Sequence, residues 1–260
     1  MILLTGASSF LGSSFSNYLL DKNIQHIKLS STINQNSYTL NSLKKLFEKN
    51  RISKVIDFYF PKVSSVNSDL RNINFDFTLQ ENLIYLFNER KDFKTFLIST
   101  TKKDNSIYSQ KKKEQENLYI RNIPKEYLEI FYTKNIFGPG DVNLSRLIPF
   151  FFKSIIKNNK VKFYSDGSAI KEFIYVDEFN NSLLNQLNDI QFATSENLEI
   201  KVSSFISLFS HDILTRYNID HEIKWKNDKK NIYFDLNNYT KNYHQISKTT
   251  DWYINEFKKN

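Results

Sequence analysis

The sequence contains no cysteine. That absence excludes a disulfide framework, a thiolate metal site and a cysteine nucleophile. The four histidines, His26, His211, His221 and His244, show no zinc-site spacing, so no metal is expected. Long apolar runs are also missing. The opening Met1-Ile-Leu-Leu stretch has no basic region before it, unlike a secretory signal, and Leu147–Phe152 is interrupted by Pro149. No window approaches the ~20 apolar residues of a membrane helix, so a cytoplasmic protein without a membrane partner is expected. Glycine is scarce: there are five in 260 residues, where about 7% is usual. A chain this poor in glycine keeps it where backbone geometry demands it. The positions of Gly6, Gly12, Gly138, Gly140 and Gly167 are therefore informative.

What is present is otherwise ordinary for a globular chain, with 40% hydrophobic and 25% charged residues. Aromatic content is high, with 23 Phe and 15 Tyr. A net charge of +8 raises the question of nucleic acid. The lysines are scattered, with short runs only at Lys111–Lys113 and Lys229–Lys230 and no arginine-rich arm. A nucleic-acid partner is not expected, and an enzyme of anionic substrates carries the same bias.

Apolar spacing alternates between strand and helix. Short strands are expected at Met1–Thr5, His26–Leu29, Lys54–Phe60, Thr95–Ile98 and Tyr127–Phe131. Helices are expected at Leu11–Leu20, Leu40–Lys49, Phe77–Phe87 and Ser109–Arg121. That rhythm predicts an α/β fold: a Rossmann-type, doubly wound parallel sheet. The rhythm is lost in the last third. There, helices are expected at Ser145–Lys157, Phe179–Leu187, Ser204–Tyr217 (capped by Ser203 or Ser204) and Thr250–Phe257. Short strands are expected at Val161–Tyr164, Glu172–Val176 and His221–Trp225, and a loop over Lys226–Tyr243. Residues 1–142 are thus read as a dinucleotide-binding domain, and residues 143–260 as a smaller C-terminal substrate-binding lobe with some segments returning to the sheet.

Gly6-Ala-Ser-Ser9-Phe10-Leu11-Gly12 lies between the first strand and the first helix. A glycine turn there lets the backbone approach a pyrophosphate, and the helix N-terminus supplies N–H groups and a favourable dipole. Gly6, Ser9, Phe10, Leu11 and Gly12 are the expected cofactor contacts. Ser9 stands where such turns usually carry their middle glycine, and its hydroxyl is a candidate phosphate ligand. The second strand ends Lys28-Leu29-Ser30-Ser31, with no acid to hold a ribose 2′-hydroxyl. Ser30, with Lys28 nearby, points to NADP(H) over NAD(H).

Tyr108 and Lys112 are four residues apart on an expected helix and share a face. A lysine ammonium favours the phenolate of a neighbouring tyrosine, which can then pass a proton to or from an alcohol or carbonyl oxygen. Ser99-Thr100-Thr101 follows the fourth strand, at the sheet edge where open α/β folds bind ligands. The bland reading of the pair is a solvated face shared with Lys111–Lys113.

With these residues in place the chain resembles the extended short-chain dehydrogenase/reductases of the NAD-dependent epimerase/dehydratase family, which act on nucleotide sugars. The resemblance spans nearly the whole chain. It rests on the glycine turn, Ser99-Thr100, Tyr108-x-x-x-Lys112-x-x-x-Glu116, Asn135-Ile-Phe-Gly138-Pro-Gly140-Asp141, and Gly167 through Lys171-Glu-Phe-Ile-Tyr-Val-Asp177. All five glycines fall inside these blocks. The resemblance implies that Tyr108 is the acid/base, that Lys112 holds the nicotinamide ribose, and that Thr100 orients the sugar oxygen. It also implies that Asn135 and Lys171 meet the substrate phosphates, Lys171 replacing an arginine of the family.

Two departures bear on the reaction. The third strand ends Asp57-Phe-Tyr-Phe60 where the family has small residues beside the cofactor, so crowding is expected there. Thr100 and Tyr108 are only eight residues apart, and Thr101-Lys102 replaces the Asp-Glu pair that dehydratases use. The short interval is similar to that of the 4-ketoreductases of deoxysugar pathways, such as CDP-abequose and CDP-paratose synthases. That similarity implies NAD(P)H-dependent reduction of a 4-keto nucleotide deoxysugar. A nucleotide-sugar 4-epimerase and a non-catalytic dinucleotide-binding relative are the alternatives. A homodimer through the segments Phe77–Phe87 and Ser109–Arg121 is also compatible with the family pattern.

Overall fold

A computed structural model describes residues 1–29, 38–60, 63–66, 73–101, 104, 106–190, 198–226 and 234–259. The chain divides into two compact units, Met1–Lys134 and Asn135–Asn260.

The first unit runs β1 (Ile2–Thr5), α1 (Phe10–Asp21), β2 (His26–Leu29), α2 (Leu40–Lys49), β3 (Lys54–Asp57), β4 (Val63–Val66), β5 (Ile73–Phe75), α3 (Thr78–Arg90), β6 (Lys94–Thr100), α4 (Ile107–Asn122) and β7 (Leu128–Thr133). Five of these strands form a parallel sheet in the order β2-β1-β3-β6-β7, and β4 and β5 form a separate antiparallel pair. The step from β1 to β2 goes one way along the sheet and later steps go the other. Right-handed crossovers then assign α1 to one face and α2, α3 and α4 to the other. The core agrees. Leu3, Val55 and Leu97 bury against Leu43 and Phe47 of α2, Leu83 and Phe87 of α3, and Tyr119 of α4. Leu4, Ile56 and Phe96, which alternate with them along their strands, are buried too. The chain changes direction between β1 and β3, and their carboxyl ends form the switch point where such folds bind ligands.

The third strand stops at Asp57, three residues before the expected Phe60. The apolar face of α3 is core at Leu79, Leu83, Leu86 and Phe87. The β4–β5 pair had no recognisable signal in the sequence.

The second unit runs β8 (Asn135–Phe137), α5 (Leu147–Asn158), β9 (Lys160–Lys162), β10 (Ile170–Tyr175), α6 (Val176–Leu187), β11 (Leu198–Lys201), α7 (Val202–Tyr217), β12 (Glu222–Lys224), α8 (Leu236–Lys241) and α9 (Tyr243–Lys258). Strand β10 pairs with β8 in parallel and with β11 antiparallel, and β9 pairs with β12. The many phenylalanines fill its core. Phe205 stacks on Phe173 at 3.8 Å, Phe152 stacks on Tyr253 at 4.6 Å, and Phe209 meets Phe137, Phe152 and Phe205. Pro149 is tolerated because it lies in the first turn of α5, where its missing N–H has no intrahelical acceptor to serve.

Three local expectations are corrected here. Helix α7 starts at Val202 without a serine cap, because the Val202 and Ser203 N–H groups donate to the carbonyls of Ala169 (2.9 Å) and Gly167 (3.0 Å) instead. Lys226–Tyr243 is not all loop, since it contains α8, capped by Asp235. Helix α9 begins seven residues before the expected Thr250. Among the described residues, no helix is long and apolar enough to cross a membrane.

Gly6 has φ +62°, and a Cβ there would lie 2.6 Å from the Tyr59 nitrogen; a Cβ on Gly12 would lie 2.4 Å from the Gly6 oxygen. Both obstacles are backbone, which cannot swing aside. Gly6→Ala therefore combines left-handed strain with a clash and is expected to destabilise the protein by about 3 kcal/mol or more. Chemical denaturation measures this, and a loss below about 1 kcal/mol would contradict the tight packing of β3 on the turn.

Candidate functional site

The turn after β1 brings the first turn of α1 to the switch point. Ser9 is the N-cap of α1, and its hydroxyl oxygen accepts the Gly12 N–H at 3.1 Å. The sequence offered that hydroxyl as a phosphate ligand; its oxygen is engaged in capping, and only its O–H remains to donate outward. Phe10 and Leu11 open the helix, where first-turn N–H groups have no acceptor within the helix. The close approach of Gly12 to Gly6 seats the helix terminus directly on the turn. These residues fit the diphosphate of a dinucleotide. Lys28 is exposed on β2, and Ser30 lies outside the described residues. Among the described residues no group of His, Asp or Glu side chains could hold a metal ion.

The second part of the site is built on β6 and α4. Thr100 is the last residue of β6. Ser106 caps α4, and Asp104 accepts the Ser106 N–H at 3.1 Å, the Ser109 hydroxyl at 2.5 Å and the Ser106 hydroxyl. Tyr108, in the first turn, is 40% exposed. Lys112, one turn further along the same face, is only 7% exposed, and Lys111 is 2% exposed. The solvated-face reading of Lys111–Lys113 therefore fails for its first two members: Lys112 reaches into the β6 backbone, and the Lys111 ammonium lies over the Phe60 ring. The Lys112 ammonium donates to the Ile98 carbonyl of β6 at 2.9 Å and to Gln115 Oε1 at 3.0 Å. Burial pulls its pKa down to about 8, against the pull of the Asp57 and Glu116 carboxylates. Glu116, a further turn along, accepts the Ser99 hydroxyl and, at 3.2 Å, the Tyr132 hydroxyl. Tyr108, Lys112 and Glu116 thus form one ridge of α4 over the carboxyl end of β6.

The aromatic residues after β3 separate. Phe58 turns into the core against Phe15 (5.9 Å), and Tyr59 packs edge-on to Tyr38 (5.3 Å). Phe60 meets the Tyr108–Lys112 pair. It stacks on Tyr108 at 5.1 Å, with the Lys111 and Lys112 ammonium groups 4.3 and 5.6 Å from its ring centre. Of the bulky residues expected to crowd the site, Phe60 braces Tyr108.

In the second unit Asn135 is exposed on β8 and donates to the Glu172 carbonyl of β10 at 2.9 Å. Lys171 is exposed on β10, two residues before Phe173, the register partner of Asn135. These two candidates thus share one sheet.

Sequence reading missed two participants. Asp57 is fully buried at the end of β3, and Gln115 contacts both it and Lys112. The signal for Asp57 was a single acid inside the apolar run Val55-Ile-Asp-Phe-Tyr-Phe60; for Gln115 there was none.

The parallel sheet, the glycine turn at its switch point and the Tyr-x-x-x-Lys ridge beside β6 together define a Rossmann-type dinucleotide-binding oxidoreductase fold. The sequence profile of the NAD dependent epimerase/dehydratase family matches residues 2–191, and the chain belongs to that family. It is thus an NAD(P)-dependent enzyme of the extended short-chain dehydrogenase/reductase type. No curated protein matches the sequence. Among solved structures, it is similar to dTDP-glucose 4,6-dehydratase from Bacillus anthracis in complex with NAD (TM-score 0.67, 16% identity, covering 99% of this chain and 97% of that one). It is also similar to UDP-glucose 4-epimerase from Thermotoga maritima with UDP-glucose (0.68, 17%, 98% and 99%). A third is a GDP-L-fucose synthetase from Naegleria fowleri bound to NADP (0.67, 14%, 99% and 93%).

Proposed function

We propose that this enzyme reduces the 4-keto group of a nucleotide deoxysugar, using NADPH. The observation that carries this reading is the way α4 begins. Asp104 is the sole acid between Thr100 and Tyr108, and its carboxylate is committed to Ser106 and Ser109 of the helix cap. Elimination of water needs a second acid/base beside the tyrosine, and this interval offers no free one. Carbonyl reduction needs only a proton donor and a group to polarise the oxygen. Those roles fall to Tyr108 and Thr100.

The bound nicotinamide supplies the hydride, and the protein supplies orientation and the proton. Tyr108 gives its phenolic proton to the C4 oxygen as the carbonyl becomes an alcohol. Thr100 donates a hydrogen bond to the same oxygen. The Lys112 ammonium favours the phenolate left on Tyr108 and holds the nicotinamide ribose. Gly6, Ser9, Phe10, Leu11 and Gly12 hold the cofactor diphosphate. NADPH is preferred because β2 ends at Lys28-Leu29 and the sequence continues Ser30-Ser31, with no acid that would repel a 2′-phosphate. The unit from Asn135 onward takes the nucleotide sugar, with Asn135 and Lys171 as the candidate contacts to its phosphates. The nucleotide-sugar enzymes among the similar structures support that substrate class.

The test supplies 4-keto-6-deoxy sugars carried on CDP, dTDP, UDP and GDP, each with NADPH. One of them is expected to consume NADPH in a one-to-one ratio with loss of the keto sugar. Interconversion of 4-hydroxy epimers by protein that retains NAD, with no net NADPH consumption, would replace the reductase by an epimerase.

A further inference from the structure

We propose that Asp57 is a positioning residue: a buried carboxylate that, through the side-chain amide of Gln115, holds Lys112 in place and charged beside Tyr108. The proposal rests on the reading of Tyr108 and Lys112 as the working pair.

Asp57 is fully buried and accepts five hydrogen bonds. The donors are the Thr5 hydroxyl (2.5 Å), the Tyr59 N–H (2.9 Å), the Gln80 amide (3.1 Å), the Gln115 amide (3.0 Å) and the Tyr119 hydroxyl (2.9 Å). Both oxygens act as acceptors, as those of an ionised carboxylate do. None of the five donors is a cation. A buried charge without a counter-charge is costly, and the link to a cation runs through one side chain. Gln115 Nε2 donates to Asp57 and, at 3.2 Å, to the Tyr59 carbonyl, while its Oε1 accepts from the Lys112 ammonium. The amide dipole therefore lies with its negative end on the lysine and its positive end on the carboxylate. Flipping the amide would turn donor against ammonium and acceptor against carboxylate, so the two charges fix its orientation.

The other groups around Lys112 do not replace Asp57. Glu116 of the same helix also favours the charged lysine, but its oxygens accept from Ser99 of β6 and Tyr132 of β7. Lys111 disfavours a second positive charge. Tyr119 of α4 is a phenol kept protonated by burial and by Asp57 itself. Strand β6 offers the neutral Ile98 carbonyl, and the β3 end offers the Phe60 ring. Asp57 is also bonded to Thr5, the residue before the Gly6 turn. One carboxylate thus ties the cofactor turn, the β3 end and the ridge of α4 together at the switch point.

The test reads the ionisation of Lys112 directly, by NMR titration of isotope-labelled lysine in cofactor-free protein, with Lys112→Met to assign the signal. In Asp57→Asn the Lys112 midpoint is expected to fall by about one unit or more, the usual size of a lost opposite-charge neighbour. The asparagine amide would face the donors of Gln80, Gln115 and Tyr119, so this variant has a folding risk. Gln115→Met avoids it, because it keeps the carboxylate and its four other donors; its Lys112 midpoint is also expected to fall. In turnover assays, both variants should lose kcat with little change in KM and shift the alkaline limb of the pH profile to lower pH. A Lys112 midpoint unchanged in folded Gln115→Met, or in Asp57→Asn where that variant folds, overturns the proposal; unchanged in Asp57→Asn, it leaves Asp57 a purely structural residue. The titration needs no substrate, so it separates failure of this coupling from failure of the reductase reading.

Discussion

Tyr108→Phe is expected to lower kcat by about 10²–10⁴-fold, the usual contribution of a positioned acid/base, while leaving cofactor affinity and melting temperature close to wild type. The substitution removes one oxygen. The ring that stacks on Phe60 at 5.1 Å is kept, and the side chain is already 40% exposed, so no buried cavity opens. The helix start, secured by Ser106 and Asp104, is untouched. A loss confined to kcat therefore isolates the proton. Single-turnover reduction under saturating cofactor is the direct check, because it excludes product release as the limiting step. Turnover within threefold of wild type would remove Tyr108 from the chemistry and take the ketoreductase assignment with it.

Lys112→Met is expected to abolish useful turnover and to change how stability depends on pH. In the folded protein the Lys112 pKa is held down at about 8 by burial; in the unfolded chain it returns to about 10.4. Below pH 8 the lysine is protonated in both states, and folding carries the full cost of burying that charge. Between pH 8 and 10.4 the unfolded chain binds more protons than the folded one, so stability gained through Lys112 rises with pH. A shift of this size amounts to about 3 kcal/mol. Wild-type protein should therefore gain about 3 kcal/mol over Lys112→Met as pH is raised from 7.5 to 10.5, with no change in the difference below pH 7. Several tyrosines, Tyr119, Tyr175 and Tyr253 among them, are held above their ordinary pKa by burial and destabilise the fold at high pH. They are common to both proteins and cancel in the comparison. Urea denaturation at several pH values measures the difference. A flat difference would mean that the Lys112 ammonium is as well solvated in the folded protein as in the open chain. The expected cost at neutral pH is the pattern of a functional site kept at the expense of stability.

The sequence by itself determined the features that depend on neighbours along the chain. Gly6 and Gly12 announced the turn because a Cβ at either would strike the backbone within the same strand–turn–helix unit or its immediate partner strand. The four-residue spacing of Tyr108, Lys112 and Glu116 placed them on one ridge, since helical periodicity is local. The strand–helix rhythm of the first 134 residues gave away the parallel sheet for the same reason. The strands β8 and β11, three and four residues long, went unseen. Strands that short take their stability from partners far away in the chain, and local composition does not report those partners.

Only the tertiary structure decided what the working residues are attached to. A basic run at Lys111–Lys113 reads as a solvated face until tertiary packing buries two of its members. Burial then changes the proton affinity of Lys112, because the dielectric response around an ammonium is set by everything packed against it and not by its sequence neighbours. Asp57 looks like a misplaced acid in an apolar strand until Gln115 and Tyr119, 58 and 62 residues later, deliver their donors to it. Residue types and spacings name the chemistry a chain carries. Long-range packing decides which of those groups are charged, which are held still, and which one faces the substrate.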